Sequence, residues 1–450
     1  MRNRFQRFLY RTYRRWARLS GFWKKRLTTA GWLLVTLTII SAAVGLNTNE
    51  ASAYQLFTFL VALFAVALLH GLFFRARLGV RRRLPRFATA GAPLSYEVTV
   101  RNRARRGQGA LRLREALPEP IPTQEHFLGE AEPEEDQRNR FDQTFLFYRW
   151  LWLTRKCSTV DAVETGQFAI APRGEATVSM QIVPKRRGMI RLKEMVVGRP
   201  DLFGLLKSLR RVEAGQHDTV TVLPKRYPLP NIMLAGRSQY QPCGMTLAGS
   251  VGQSEEFIGL REYHPGDPIR HLHWRSWART GKPIVREFED EYMPRYALAL
   301  DTFAPFDRDN VFEEAVSIAA SFACTLDTKE SLLDLMFVGT EAYCFTSGRG
   351  VSQPERLLDI LAGVELCRDK PFDELETLVR SHARDLSACV YILIDWDEAR
   401  RECVRRLRAT GIELLVIVVC PADSRLPDDA SAPGVNFIRS SRVAEGLAKL

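Results

Sequence analysis

His264, Asp267, His271 and His273 fall within a single ten-residue stretch, and imidazole with carboxylate is the donor set of a hydrolytic metal centre or of general acid–base catalysis. Their spacing does not favour a shared cation. His271 and His273 stand two residues apart, about 200° around a helix, so only an extended segment would aim both at one ion. Pro265-Gly266 marks a sharp turn, and Asp267 as N-cap with Pro268 in the first helical position predicts a short helix after it. Arg261, Asp267, Arg270, Trp274, Arg279, Arg286 and Glu287 read as a charged network pinning this block to its neighbours, or as a surface that contacts a partner. The chain has no G-x-x-x-x-G-K-[ST] loop, no G-x-G-x-x-G after a strand, no G-x-S-x-G elbow and no H-E-x-x-H. Nucleotide hydrolysis by this chain is therefore not expected.

The elements that hold these residues differ along the chain. From Tyr296 short apolar runs alternate with helical ones. Strands are predicted at 297–300, 332–338, 390–394, 414–419 and, more weakly, 436–438, with helices over 311–326, 353–363, 372–384 and 397–409. This alternation predicts a doubly wound α/β domain over 295–450, its mostly parallel sheet covered on both faces. Ligands in such a sheet bind beyond the C-terminal strand ends, where Asp301 and Asp395 stand. Upstream, Leu94, Tyr96, Val98 and Val100 alternate with polar residues, and the pattern returns at 111–113, 178–182, 190–192 and 220–222. A small β-sandwich-like domain over 87–225 follows. Residues 116–158 interrupt it with an acidic run and then Phe141, Phe145, Phe147, Tyr148, Trp150 and Trp152, read either as an insertion or as two ordinary core strands. Residues 226–258 read as a linker and 259–294 as a separate block.

The net charge of +12 is concentrated at one end: residues 1–86 hold 16 Lys/Arg against one acid, Glu50, and the remainder sums to −3. The basic excess flanks two uncharged apolar runs rather than forming a nucleic-acid surface, so no nucleic-acid partner is expected. The 19 residues 28–46 reach about 28 Å at about 1.5 Å each, close to a hydrocarbon core of about 30 Å. After Asn47-Thr48-Asn49-Glu50 a second run of 24 residues covers 51–74. Two transmembrane helices over 28–74 are predicted, in contact with the lipid bilayer. Ten Lys/Arg precede them, six follow, and none lies between, which predicts a multi-pass membrane protein with both termini cytoplasmic. Ala51-Ser52-Ala53 has the form of a signal cleavage site, but a 27-residue basic flank and a second span do not fit a signal peptide. In the basic amphipathic N-terminus, 1–27, Phe5, Phe8, Leu9, Trp16, Leu19 and Trp23 recur at helical spacing among arginines, as in an interfacial helix on anionic lipid, or in a disordered basic tail. The eight cysteines include no C-x-x-C and read as reduced thiols.

Arg261-x-Tyr263-x-Pro265-Gly266-Asp267-x-x-Arg270-x-x-x-Trp274, the Ala278-Arg279 pair and Val285-Arg286-Glu287-Phe288-Glu289 together resemble the signature of the bacterial family catalogued as domain of unknown function 58. The resemblance extends to Arg187-Gly188, Pro200-Asp201-Leu202-Phe203-Gly204-Leu205 and Val222-Leu223-Pro224. It implies a membrane-anchored protein with a β-rich domain and a C-terminal domain similar to von Willebrand factor type A modules. Such proteins are typically encoded beside a MoxR-type AAA+ ATPase, often with a transglutaminase-like membrane protein. Type A modules place Asp-x-Ser-x-Ser after their first strand, because a hard cation takes carboxylate and hydroxyl oxygens together. The matching positions here are Asp301, Phe303 and Pro305, which lack both hydroxyls. No metal or other cofactor is therefore expected; Asp301 and Asp395 are the candidates at the strand ends. The reading is a membrane-anchored cytoplasmic adaptor or scaffold with no catalytic residues. The alternatives are a metal-dependent hydrolase using the His/Asp block, or a structural protein of the envelope.

Overall fold

The computed structural model describes residues 2–45, 51–74, 76–132, 135–230, 257–267, 269–288, 294–303, 308–326, 331–348, 354–422 and 434–450. The connection at 47–50, most of the segment read as a linker, Cys243, Pro268 and Pro305 lie outside them. The seven described cysteines are free thiols. The chain divides into two units, Met1–Lys225 and Arg226–Leu450.

The first unit opens with three helices, α1 (Arg2–Arg26), α2 (Thr29–Gly45) and α3 (Ala51–Leu72). Within α3, Ser52–Leu72 is long and apolar enough to cross a membrane, and with 11% of that stretch buried it is not a core helix. Helix α2 is equally apolar but shorter. The two pack along Leu34, Leu60, Leu63, Phe64 and Ala67, and the Ser41 hydroxyl donates to the Ala53 carbonyl at 2.9 Å. The other faces of both helices expose uncharged side chains such as Leu33, Ile39, Phe59 and Leu69.

The β domain contains β1 (Leu78–Arg83), β2 (Phe87–Thr89), β3 (Leu94–Asn102), β4 (Gln108–Glu115), β5 (Val160–Ala162), β6 (Phe168–Ile170), β7 (Glu175–Pro184), β8 (Gly188–Pro200) and β9 (Lys207–Leu223). They hydrogen-bond in the order β5-β7-β3-β1-β9-β8-β4-β6, with β2 beside β9. The alternation read from the sequence sets the register: Tyr96, Val98 and Val100 point inward with Leu111, Leu113, Met180, Ile182 and Val197. A charged pair lies inside this core. Arg82 grips Glu115 with two hydrogen bonds of 2.9 Å each, and the Tyr96 hydroxyl donates to the same carboxylate at 2.7 Å. Burial and that carboxylate push the Tyr96 hydroxyl well above its ordinary pKa.

Residues 116–158 are an insertion, and it is helical. Helices α4 (Gln124–Gly129), α5 (Arg140–Phe145) and α6 (Phe147–Cys157) replace the alternative of two core strands. Thr123 and Asn139 cap α4 and α5 by accepting backbone N–H bonds. The aromatics serve α1, which is an ordered helix and not a basic tail. Tyr10 packs on Phe127 and Trp150 with centroids 5.8 and 6.0 Å away, and its hydroxyl donates to the Pro122 carbonyl.

In the second unit β10 (Phe257–Glu262) and β11 (Ile284–Phe288) flank α7 (Trp274–Thr280). Beyond them lie β12 (Arg295–Leu300), α8 (Asp309–Thr325), β13 (Leu332–Val338), β14 (Ala342–Ser347), α9 (Pro354–Gly363) and α10 (Asp373–His382). The chain ends with β15 (Ala388–Leu393), α11 (Glu398–Ala409), β16 (Glu413–Cys420), β17 (Val435–Arg439) and α12 (Val443–Leu447). The sheet order is β14-β13-β12-β15-β16-β17, parallel throughout except for β14, which returns antiparallel at the edge. No apolar run marks that edge strand in the sequence, because its side chains are mostly half-buried, unlike those of the inner strands. Residues 226–230 begin this unit, with the Tyr227 hydroxyl donating to Glu314 of α8 at 2.7 Å.

Candidate functional site

The block read as most informative is a braced hairpin. Strands β10 and β11 pair antiparallel, with Arg261 opposite Val285 and Leu260 opposite Arg286. From β10 the Arg261 guanidinium grips the Asp267 carboxylate with two bonds of 2.8 Å each. The same carboxylate accepts the His264 N–H at 2.9 Å, closing the turn through Pro265 and Gly266, where φ is +112° and only glycine sits without strain. Asp267 is thus not the N-cap expected of it: a bidentate charge-assisted pair is stronger than a cap, and it draws the carboxylate back toward β10. The helix is displaced too. A short 3-10 turn, Ile269–His271, comes first, and α7 starts only at Trp274, after His273. Arg261 and the His264 N–H hold the Asp267 carboxyl down at about 2, against 3.8 ordinarily.

The histidines do not converge. The His264 ring lies by Arg261 at 3.1 Å, and His273 contacts the Ser276 hydroxyl at 2.7 Å. Among the described residues no three His, Cys, Asp or Glu side chains gather as a metal ion would require. Leu272 and Val285 form the small buried base of the block. Outside it Trp274 stacks on Trp277 at 5.2 Å and 19°, with Trp274 62% exposed. Arg270, Arg279 and Arg286 are also exposed, Tyr263 is half-buried, and Glu287 lies on β11. Of the predicted network, the structure brings together Arg261 and Asp267.

Asp301 and Asp395 stand just beyond the C-terminal ends of β12 and β15, as expected. Asp301 is a turn carboxylate, and it is also held in a buried ion pair. Its Oδ1 accepts the Phe303 N–H at 2.9 Å; its Oδ2 accepts the Ile394 N–H at 3.2 Å and Arg400 Nε at 2.7 Å. Arg400 is itself buried. Its remaining nitrogens donate to the Phe303 carbonyl at 2.6 Å and to Asp397 at 2.7 Å, and its guanidinium lies 4.7 Å from the centre of the Phe372 ring. Burial raises the Asp301 carboxyl, against the opposing pull of Arg400. Asp395 pairs with Arg308 at 2.9 Å, and Thr302 donates to the Val338 carbonyl at 2.5 Å. The divalent cation of a type A module does not fit here. Both Asp301 oxygens are committed to donors, Phe303 offers no hydroxyl, and an internal guanidinium already supplies the positive charge. One sequence signal pointed to Arg400: it falls in the apolar stripe of α11, with Cys403, Val404 and Leu407 at i+3, i+4 and i+7.

Residues 259–433 match the family model described as "Protein of unknown function DUF58". The chain carries a DUF58 region. That region spans both the braced hairpin and the Asp301 end of the sheet. A curated relative, the uncharacterized protein YeaD of Bacillus subtilis (strain 168), is 24% identical over 188 residues, which are 41% of this chain and 45% of YeaD. The match thus spans less than half the length of that relative. Among solved structures, the CARDB domain of PF1109 from Pyrococcus furiosus matches 30% of this chain and 93% of its own, at 12% identity and a TM-score of 0.14. A beta-glucosidase from Listeria innocua matches 33% of this chain and 17% of its own, at 12% identity and a TM-score of 0.13. Scores this low do not establish a shared fold.

Proposed function

We propose that the chain is a membrane-anchored adaptor. In this reading α2 and α3 form a transmembrane hairpin in the bacterial inner membrane, and the α/β unit is a cytoplasmic binding module similar to von Willebrand factor type A domains. It acts with a MoxR-type AAA+ ATPase in an assembly or chaperone-like process, with a transglutaminase-like membrane protein as a further partner. The observation that carries the adaptor role is the outer face of the DUF58 hairpin: Trp274 and Ile269 are exposed among Arg270, Arg275 and Arg279 on a loop braced by Arg261 and Asp267. Interfaces concentrate their energy in aromatic and arginine anchors, and a loop already held in shape loses little freedom on binding. The membrane half rests on the apolar length of α3 and on basic residues that flank the two apolar runs but never separate them.

Affinity purification of the full chain from detergent-solubilised membranes, with ATP and with a non-hydrolysable analogue, tests this. An AAA+ ATPase should co-purify and be lost from Trp274→Ala. Recovery of no ATPase under either nucleotide condition contradicts the adaptor.

A further inference from the structure

The tip between β8 and β9 sits where α2 begins and α3 ends. Leu205 and Leu206 are buried against Leu27, Leu34, Leu60 and Ala67. The Thr28 N–H and hydroxyl donate to the Leu205 carbonyl at 3.1 and 3.0 Å, and the hydroxyl also reaches the Gly204 carbonyl at 2.6 Å. On the α3 side, Arg210 of β9 donates to the Phe74 carbonyl at 3.1 Å. With its base clasped, the turn from Asp201 to Gly204 projects two apolar side chains, Leu202 and Phe203, that are 73% and 50% exposed. They stand at the level where the two apolar helices meet the β domain. Exposed apolar residues at an apex are unfavourable in water and favourable in a bilayer.

Helix α1 reaches the same level, because the Leu27 N–H donates to the Trp23 carbonyl at 2.8 Å. Its docked face carries Tyr10, Tyr13 and Ala17. On the opposite side Phe5, Phe8, Trp16, Leu19 and Trp23 are exposed, all within about 80° of arc at about 100° per residue. Arg4, Arg7, Arg11, Arg15 and Arg18 line one margin of that stripe, and α1 contains no carboxylate. An outward apolar stripe edged by cations is the form of a helix lying in a negatively charged lipid interface.

We propose that the Leu202–Phe203 tip and the outer stripe of α1 form a collar that seats the β domain on the bilayer and binds anionic phospholipid headgroups around the root of α2 and α3. The collar rests on the membrane reading above, and it adds a lipid chemistry and a second set of contacts.

The test uses the full chain in lipid nanodiscs of phosphatidylcholine alone, or of phosphatidylcholine mixed with phosphatidylglycerol. Amides of α1 should exchange with deuterium about tenfold more slowly when phosphatidylglycerol is present, and high salt should abolish the difference. Benzoylphenylalanine in place of Phe203 should cross-link to lipid on illumination. The same substitution at Met189, exposed at the opposite end of β8, should not. A reconstituted chain that lacks either the charge dependence or the residue-203 adduct overturns the collar and leaves the span standing. A chain that does not enter nanodiscs at all overturns the membrane reading with it.

Discussion

Arg400 decides what Asp301 can do. A carboxylate at a strand end in an α/β sheet is an obvious ligand for a cation, yet here its charge is balanced by a guanidinium that also holds the Phe303 carbonyl and Asp397. Breaking one half of a buried pair strands the other, at about 3–5 kcal/mol. Arg400→Ala should therefore lower the stability of the α/β unit by about that amount in denaturant unfolding. Adding Asp301→Asn should recover a substantial part, since no lone buried charge then remains. If the double substitution is as unstable as the sum of the singles, the two side chains are not coupled. Asp267 makes a different prediction. Its folded carboxyl titrates at about 2 against 3.8 ordinarily, so the ionised form stabilises the turn. That contribution is complete above the ordinary value, fades as pH falls through about 2, and is absent from Asp267→Asn at every pH. Exchange of the His264 amide, followed from pH 5 downward, is the measurement; an unchanged amide in Asp267→Asn would contradict the brace.

Close approach of backbones governs the junction of helices and sheet. A Cβ on Gly31 would lie 2.2 Å from the Leu205 carbonyl oxygen, an approach that backbone cannot easily yield. Gly31→Ala should therefore cost about 1–3 kcal/mol and prise α2 from the β8–β9 tip, exposing residues 201–206 to protease in detergent; an unchanged cleavage pattern would contradict the close approach. Inside the β domain, Glu115→Ala should lower the thermal unfolding temperature, because it leaves buried Arg82 with the more exposed Asp218 as its carboxylate partner. The elements with a strict period were legible in advance. The parallel strands and α8 to α11 of the α/β unit appear where apolar runs and helical stripes predicted them. The insertion was not, because six aromatics among polar residues satisfy no single period until α1 is known to pack on Phe145, Phe147 and Trp150.

For the whole molecule, the proposed anchor rests on charge and apolar length. Alkaline carbonate washing should leave the chain with the membrane pellet, and proteolysis of intact spheroplasts should spare the DUF58 region. Release into the wash, or digestion from outside, would contradict the anchor or its orientation. Composition alone located the apolar helices and the basic excess around them, since hydropathy and charge are properties of a segment that need no partner. Local periodicity likewise determined the two classes of sheet. Tertiary structure alone decided that Arg400 lies against Asp301, that Asp267 turns back to Arg261, and that α1 has a docked face and an outward one. Each of these depends on which distant groups share a low-dielectric space. That proximity is created by folding, and no spacing along the chain encodes it directly.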